Sequence, residues 1–142
     1  DEVGWESERK RERLQELAEM TQFPKDGLDR YPAQLSGGQK QRVSLMRALM
    51  LDPDVLLMDE PLGALDPMIR ADLRTELDKI FEELDKTVLM VTHNLNEAVH
   101  FADEIVLMRD GSIVQTGTIE NFLESPAEPF VEDFVRAQES EW

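Results

Sequence analysis

The apolar positions of this chain change period along its length, and the changes mark its elements. Residues 6–20 are dense in charge, with Leu14, Leu17 and Met20 spaced three apart. That spacing predicts a helix with a narrow apolar stripe. Residues 21–34 hold Pro24, Gly27 and Pro32 and predict a loop. Tyr31-Pro32 biases the backbone to an extended form just before the next helix. Ser36 opens that helix, since Ser36-x-x-Gln39 has the spacing of a capping box. Val43, Met46, Leu49 and Met50 follow at helical intervals until Asp52-Pro53 stops them.

The pattern then shortens. Val55 to Met58 is a continuous apolar run, which predicts a strand covered on both faces. Asp66-Pro67 restarts a helix, with Asp as N-cap and Pro at the first helical position. Its buried face is expected to carry Ile69, Leu73, Leu77, Ile80, Phe81 and Leu84. Thr87 to Val91 predicts a second buried strand, so the two strands and the helix between them form a βαβ unit with parallel strands. Residues 94–101 predict a short helix, and 105–108 and 113–115 flank Asp110-Gly111, a two-residue hairpin signal. Two closing helices, 119–123 and 130–135, are separated by Ser125-Pro126. No internal repeat and no low-complexity segment interrupts this order.

Composition narrows the picture. A chain of 142 residues suffices for a domain that buries roughly two thirds of its surface. The 41% hydrophobic and 32% charged content is ordinary for a soluble globular protein. There is no cysteine, hence no disulfide framework and no thiolate metal site. No apolar run reaches the roughly 20 residues needed to span a bilayer. No signal peptide is visible, and the start at Asp1 rather than Met is expected of a processed or truncated piece. The net charge of −16 argues against a nucleic-acid partner, which needs clustered Lys and Arg, and against docking on anionic lipid. Such acidity serves solubility, and also suits a salty surrounding.

The candidate chemistry lies at the strand ends. In an open α/β sheet, ligands sit at the carboxyl ends of parallel strands. Asp59 and Glu60 follow the first strand, and Thr92 and His93 follow the second. On neighbouring strands these four would share one edge, within about 5 to 10 Å. Two carboxylates beside a histidine can hold Mg²⁺ through water and take a proton from a nucleophilic water. Read alone, Asp59-Glu60 is equally a solvated turn, and His93 a loop residue near a helix start. Ser36-Gly37-Gly38-Gln39 offers backbone N–H groups at a helix start with no side chains in the way, which favours an anion. Its plainer reading is a capped helix start, against which stand the two adjacent glycines. A free-standing metal hydrolase built on Asp59, Glu60 and His93 would need more ligands than these.

Together these stretches carry a resemblance. Leu35-Ser36-Gly37-Gly38-Gln39 is similar to the signature motif of ATP-binding cassette (ABC) ATPases. Leu56 to Pro61 resembles their Walker B segment, Gly63-Ala64-Leu65-Asp66 their D-loop, and Thr92-His93-Asn94 their switch-histidine loop. The order and spacing match over nearly the whole chain. The resemblance implies a partial P-loop NTPase fold of class α/β. Residues 1 to about 50 would belong to the helical signature subdomain, and 51–142 to the later part of the RecA-like ATPase core. It also implies roles. Asp59 would hold Mg²⁺ through its water shell, Glu60 would be the general base, and His93 would contact the γ-phosphate. Ser36, Gly37, Gly38 and Gln39 would face the phosphates of an ATP held mainly by a second ATPase subunit, paired head-to-tail. Asp66 would link the two sites. Transmembrane permease subunits would be driven from the cytoplasmic face of the membrane.

Asp59 to Pro67, Met108 to Gly111, and the tail around Ser125-Pro126-Ala127, Phe130-Val131 and Phe134-Val135 look most like osmoprotectant importers, which take up glycine betaine, choline or proline. Polyamine, sugar and other amino-acid importers share much of this pattern.

The chain also departs from the family. No Gly-x-x-x-x-Gly-Lys-Ser/Thr occurs in it, and the adenine-stacking aromatic and the glutamine loop are missing. Alone it is therefore expected neither to bind ATP by the family mechanism nor to hydrolyse it. Asn94 stands where Asp is frequent after the switch histidine, and Lys40 where Gln is common after the signature. The resemblance places the missing phosphate-loop strand beside the strand ending at Thr92, with the Ile105 strand on its far side. Without it the isolated chain is expected to fill the slot by dimerising, swapping a segment or shifting the 103–116 hairpin. The rival reading is a self-standing, non-catalytic pairing or regulatory module that keeps only the trans-acting half of the site.

Overall fold

A computed structural model describes residues 4–63, 65–84 and 86–139. The N-terminal residues Asp1-Glu2-Val3, Ala64 of the D-loop-like motif and Asp85 lie outside the described residues. The chain divides into two compact units, Asp1–Val91 and Thr92–Trp142.

The first unit opens with α1 (Ser7–Met20), then two 3-10 turns, Lys25–Gly27 and Pro32–Gln34, inside the stretch expected to be plain loop. Next come α2 (Gly37–Leu49), β1 (Val55–Asp59), α3 (Pro67–Glu83) and β2 (Thr87–Val91). Proline and glycine stop regular helices but are compatible with single tight turns, which is why both 3-10 pieces contain one of them. α2 and α3 each start on a cap that the sequence announced, Ser36 and Asp66, whereas Glu6 before α1 makes no side-chain cap. Asp66 precedes Pro67 and accepts from the backbone N–H groups of Met68 and Ile69 at 3.2 and 3.1 Å. The core of the unit holds Leu17, Phe23, Leu45, Met46, Leu49, Leu56, Leu73, Leu77 and Ile80. Arg13 of α1 donates to the Leu49 carbonyl at the end of α2 at 3.0 Å, beside the Asp52 N–H that donates to the same oxygen at 3.1 Å.

β1 and β2 pair in parallel, Val55 opposite Thr87 and Asp59 opposite Val91, as the βαβ pattern requires. The expectation that both strands are covered on both faces is not met. Leu56 is 2% exposed, whereas Val55, Leu57, Leu89 and Val91 are 51%, 69%, 57% and 55% exposed. Side chains alternate across a strand, and these four fall on one face of the pair. The sheet is therefore packed on one side and bare on the other, although its sequence is apolar on both.

The second unit contains α4 (Leu95–Phe101), β3 (Ile105–Arg109), β4 (Ser112–Gly117), α5 (Ile119–Glu124) and α6 (Pro129–Glu139). β3 and β4 form an antiparallel hairpin longer than the sequence pattern marked. Asp110 and Gly111 have φ of +50° and +77°, the two positive values that a tight turn matching strand twist needs. Leu95, Ile105, Phe122, Val131 and Val135 make its core. Gln115 fastens the α5–α6 connection to β4. Its Nε2 donates to the carbonyls of Asn121 and Ser125 at 3.1 and 3.3 Å, and its Oε1 accepts from the Ala127 N–H at 2.8 Å.

Replacing Gln115 by Leu removes the side-chain partner of three exposed backbone groups, of which the Asn121 carbonyl keeps the Ser125 N–H. It should destabilise the second unit by about 0.5–1.5 kcal/mol. Native-state hydrogen exchange should show the Ala127 amide losing protection before the β3–β4 ladder does.

Candidate functional site

The signature-like stretch is a closed helix start. Ser36 Oγ accepts from the Gln39 N–H at 3.2 Å, and Gln39 Oε1 accepts from the Ser36 N–H at 3.0 Å, the reciprocal box its spacing predicted. The two glycines turn out to differ. Gly37 is exposed, and a Cβ there would make only ordinary contact with Leu65 at 3.5 Å. Gly38 is buried, and a Cβ there would lie 3.0 Å from Ile69 Cγ2. Its lack of a side chain lets the start of α2 sit against the first turn of α3, so open approach to a ligand describes Gly37 and not Gly38. A second contact fixes the same two helices. Arg42 of α2 donates through Nε to Glu76 Oε2 of α3 at 2.7 Å, and its Nη2 donates to Glu76 Oε1. Such a fork is a geometrically specific ion pair.

Asp59 ends β1, and Glu60 follows it. The Glu60 N–H donates to the Val91 carbonyl at 2.8 Å, carrying the parallel ladder one residue past the strand. Glu60 then turns left-handed, at φ +43°. For a residue with a side chain this conformation carries strain of about 1–2 kcal/mol. Its carbonyl accepts from the Gly63 N–H at 3.1 Å. A Cβ on Gly63 would fall 3.0 Å from Glu60 Oε2, so the carboxylate folds over the glycine. The turn continues into Leu65, whose carbonyl accepts from Arg70 Nη2 at 3.2 Å, and Asp66, which caps α3. The signature-like start, Asp59-Glu60 and the D-loop-like turn thus share one unit.

Thr92 and His93 lie in the second unit. Thr92 Oγ1 donates to Glu97 Oε2 at 2.7 Å and accepts from the Asn94 N–H at 3.1 Å. Asn94 Oδ1 caps α4, accepting from the N–H groups of Asn96 and Glu97 at 2.9 and 3.3 Å. His93 is exposed between these two partners.

Three residues in this network were not marked by sequence. Arg42 and Glu76 are 34 positions apart, and no local pattern links them. Glu97 had a signal in the capping-box spacing Asn94-x-x-Glu97, yet its carboxylate binds the Thr92 hydroxyl instead of the cap's own N–H. Among the described residues no group of three or more His, Cys, Asp or Glu could hold a metal ion.

Comparison with known proteins gives the following. The family profile for ABC transporters matches residues 2–63. The carnitine transport ATP-binding protein OpuCA of Listeria monocytogenes is 49% identical over 133 residues, covering 94% of this chain and 34% of that protein. The glycine betaine/carnitine/choline transport ATP-binding protein OpuCA of Bacillus subtilis is 47% identical, covering 94% and 35%. The sulfate/thiosulfate import ATP-binding protein CysA of a Synechocystis strain is 52% identical over 126 residues, covering 88% and 35%. The chain spans about a third of the length of these relatives. Among solved structures, the dimeric post-hydrolysis state of the ATP-binding cassette MJ0796, bound to ADP and Pi, superposes with a TM-score of 0.68. It is 34% identical, and the match covers 82% of this chain and 50% of that one.

The left-handed turn at Glu60 makes a specific prediction. Glu60→Val places a β-branched side chain at positive φ and should lower stability by about 1–2 kcal/mol relative to Glu60→Asn, because Asn tolerates this conformation. Urea denaturation of the two variants side by side measures the difference.

Proposed function

This chain belongs with the ABC ATPases, and we propose that it is the C-terminal part of the ATP-hydrolysing subunit of an importer. One observation carries the reading. A capped Ser-Gly-Gly-Gln helix start packs against the helix that Asp66 caps, while Asp59 and Glu60 end the strand between those helices. In this reading residues 1 to about 50 are part of the helical signature subdomain, and 51–142 are the later part of the ATPase core.

The roles follow from the chemistry each residue offers. Asp59 anchors the Mg²⁺ of Mg·ATP through water. Glu60 accepts the proton of the attacking water, an effect typically of 10²–10⁴-fold. His93 donates to the γ-phosphate. Ser36 and Gly37 present the open part of the signature start to a nucleotide held mainly by a second ATPase subunit, while Gly38 and Gln39 shape that start. Asp66 sets the turn that links the two sites. Positioning and charge neutralisation of this kind dominate phosphoryl transfer. The intact subunit pairs head-to-tail and works on permease subunits at the cytoplasmic face of the membrane. No helix among the described residues is long and apolar enough to cross a membrane.

The solute is proposed to be a quaternary-ammonium osmoprotectant such as glycine betaine, choline or carnitine. The carnitine and glycine betaine relatives support this class. A sulfate/thiosulfate relative at comparable identity sets the second reading, an importer ATPase for another solute.

Isothermal titration of Mg·ATP, to millimolar concentration, into the 142-residue chain should give no saturable heat, because the chain contains no phosphate-loop motif. In the full-length protein, Glu60→Gln should lower kcat at least 10²-fold while ATP still binds. Saturable binding to the chain alone, weakened by Asp59→Asn, would overturn the division of the site between two halves.

The bare sheet face bears on the isolated chain. Val55, Leu57, Leu89 and Val91 form an exposed apolar patch of the kind that drives association. The proposed occupant in the intact subunit is the phosphate-loop half. In its absence the chain should self-associate through this face. Light scattering after size exclusion should give a mass above that of one chain, and Leu57→Lys with Leu89→Lys should return it to a monomer.

A further inference from the structure

We propose that Glu97 is a positioning residue for His93, acting through Thr92; this rests on the reading that His93 meets the γ-phosphate. Thr21 and Glu97 are the buried polar side chains among the described residues. Thr21 simply donates back to the Leu17 carbonyl of its own helix at 2.8 Å. Glu97 is only 6% exposed, and its buried carboxylate carries a desolvation cost that an apolar residue would avoid. It is not needed as a helix cap, since Asn94 already serves the N–H groups of Asn96 and Glu97.

The carboxylate is instead bonded to the residue just before His93. Glu97 Oε2 accepts a hydrogen bond from the Thr92 hydroxyl at 2.7 Å, and this orients the hydroxyl oxygen toward the Asn94 N–H at 3.1 Å. A hydroxyl has one proton, so donation to Glu97 leaves its lone pairs for Asn94. The two residues flanking His93 are thereby tied to each other and to the first turn of α4. These two hydrogen bonds hold the chain on either side of His93. A hydrogen bond to a charged acceptor is stronger than a neutral one, which suits a tie that must hold through each catalytic cycle.

The test has two arms. In the 142-residue chain, nuclear magnetic resonance should show Glu97→Leu and Thr92→Val moving the His93 backbone and ring resonances in the same way, with the double variant adding little. In the full-length ATPase, Glu97→Leu should lower kcat about 10- to 100-fold with the KM for ATP within about twofold. Its thermal midpoint should stay within a few degrees, since Leu suits a buried position. Glu97→Gln keeps an acceptor oxygen for Thr92 and should restore kcat to within about threefold of the parent.

Unmoved His93 resonances would overturn the proposal. So would an unchanged kcat in Glu97→Leu, a fall in thermal midpoint with kcat intact, or a Gln variant as slow as Leu. If the parent full-length protein hydrolyses no ATP, the functional reading fails instead, and the resonance arm still decides whether the tie exists.

Discussion

The docking of α2 on α3 is the constraint from which the rest of the first unit follows. Gly38 permits the approach, since any side chain there would press on Ile69 at 3.0 Å. The Arg42–Glu76 fork then fixes the rotation of one helix against the other. Each helix begins on a side-chain cap, so the two starts are rigid as well as adjacent. A signature stretch that meets a phosphate must hold its N–H groups at one fixed height over the ligand. In the proposed reading the turn before Asp66 would follow the same movement. Close packing at Gly38 couples them with no element between.

The sheet shows the opposite condition. Four apolar side chains, each worth roughly 1.5–3 kcal/mol when fully buried and here a little over half exposed, forgo roughly 3–7 kcal/mol in this chain. That is a sizeable share of the whole stability of an ordinary domain. A sequence under selection to stand alone would place polar residues at alternate positions of these strands. Val55, Leu57, Leu89 and Val91 are instead what a strand buried on both faces carries. Covering this face, with a second copy or with more polypeptide, would recover that energy.

The same residues explain what sequence could and could not reveal. Local rules sufficed wherever the determining contact is local. The Ser36–Gln39 box, the Asp66 cap before Pro67 and the Asp110-Gly111 turn were all legible because each is settled within four residues. The continuous apolar strands were legible as strands, but their coverage was not, because an apolar run states what a strand needs and not what this chain supplies. The Gly38 contact and the Arg42–Glu76 fork join positions more than 30 apart, so no periodicity encodes them. Glu97 was hidden differently. Its spacing from Asn94 mimics an ordinary capping box, and only its burial separates a positioning carboxylate from a helix cap.

Charge gives the last reason for a divided site. ATP brings about four negative charges, and this chain has a net charge of −16. Its proposed site residues include Asp59, Glu60 and Asp66, all acidic, with Ser36 and Gly37 offering only neutral backbone and hydroxyl dipoles. Helix-start dipoles contribute roughly 0.3–1 kcal/mol toward an anion, too little to hold a triphosphate against carboxylates. The favourable charge must come from Mg²⁺ and from cationic groups outside this set. A half-site of this composition gains something from its weakness. In the proposed reading it would close on a nucleotide only after another half had bound and neutralised it.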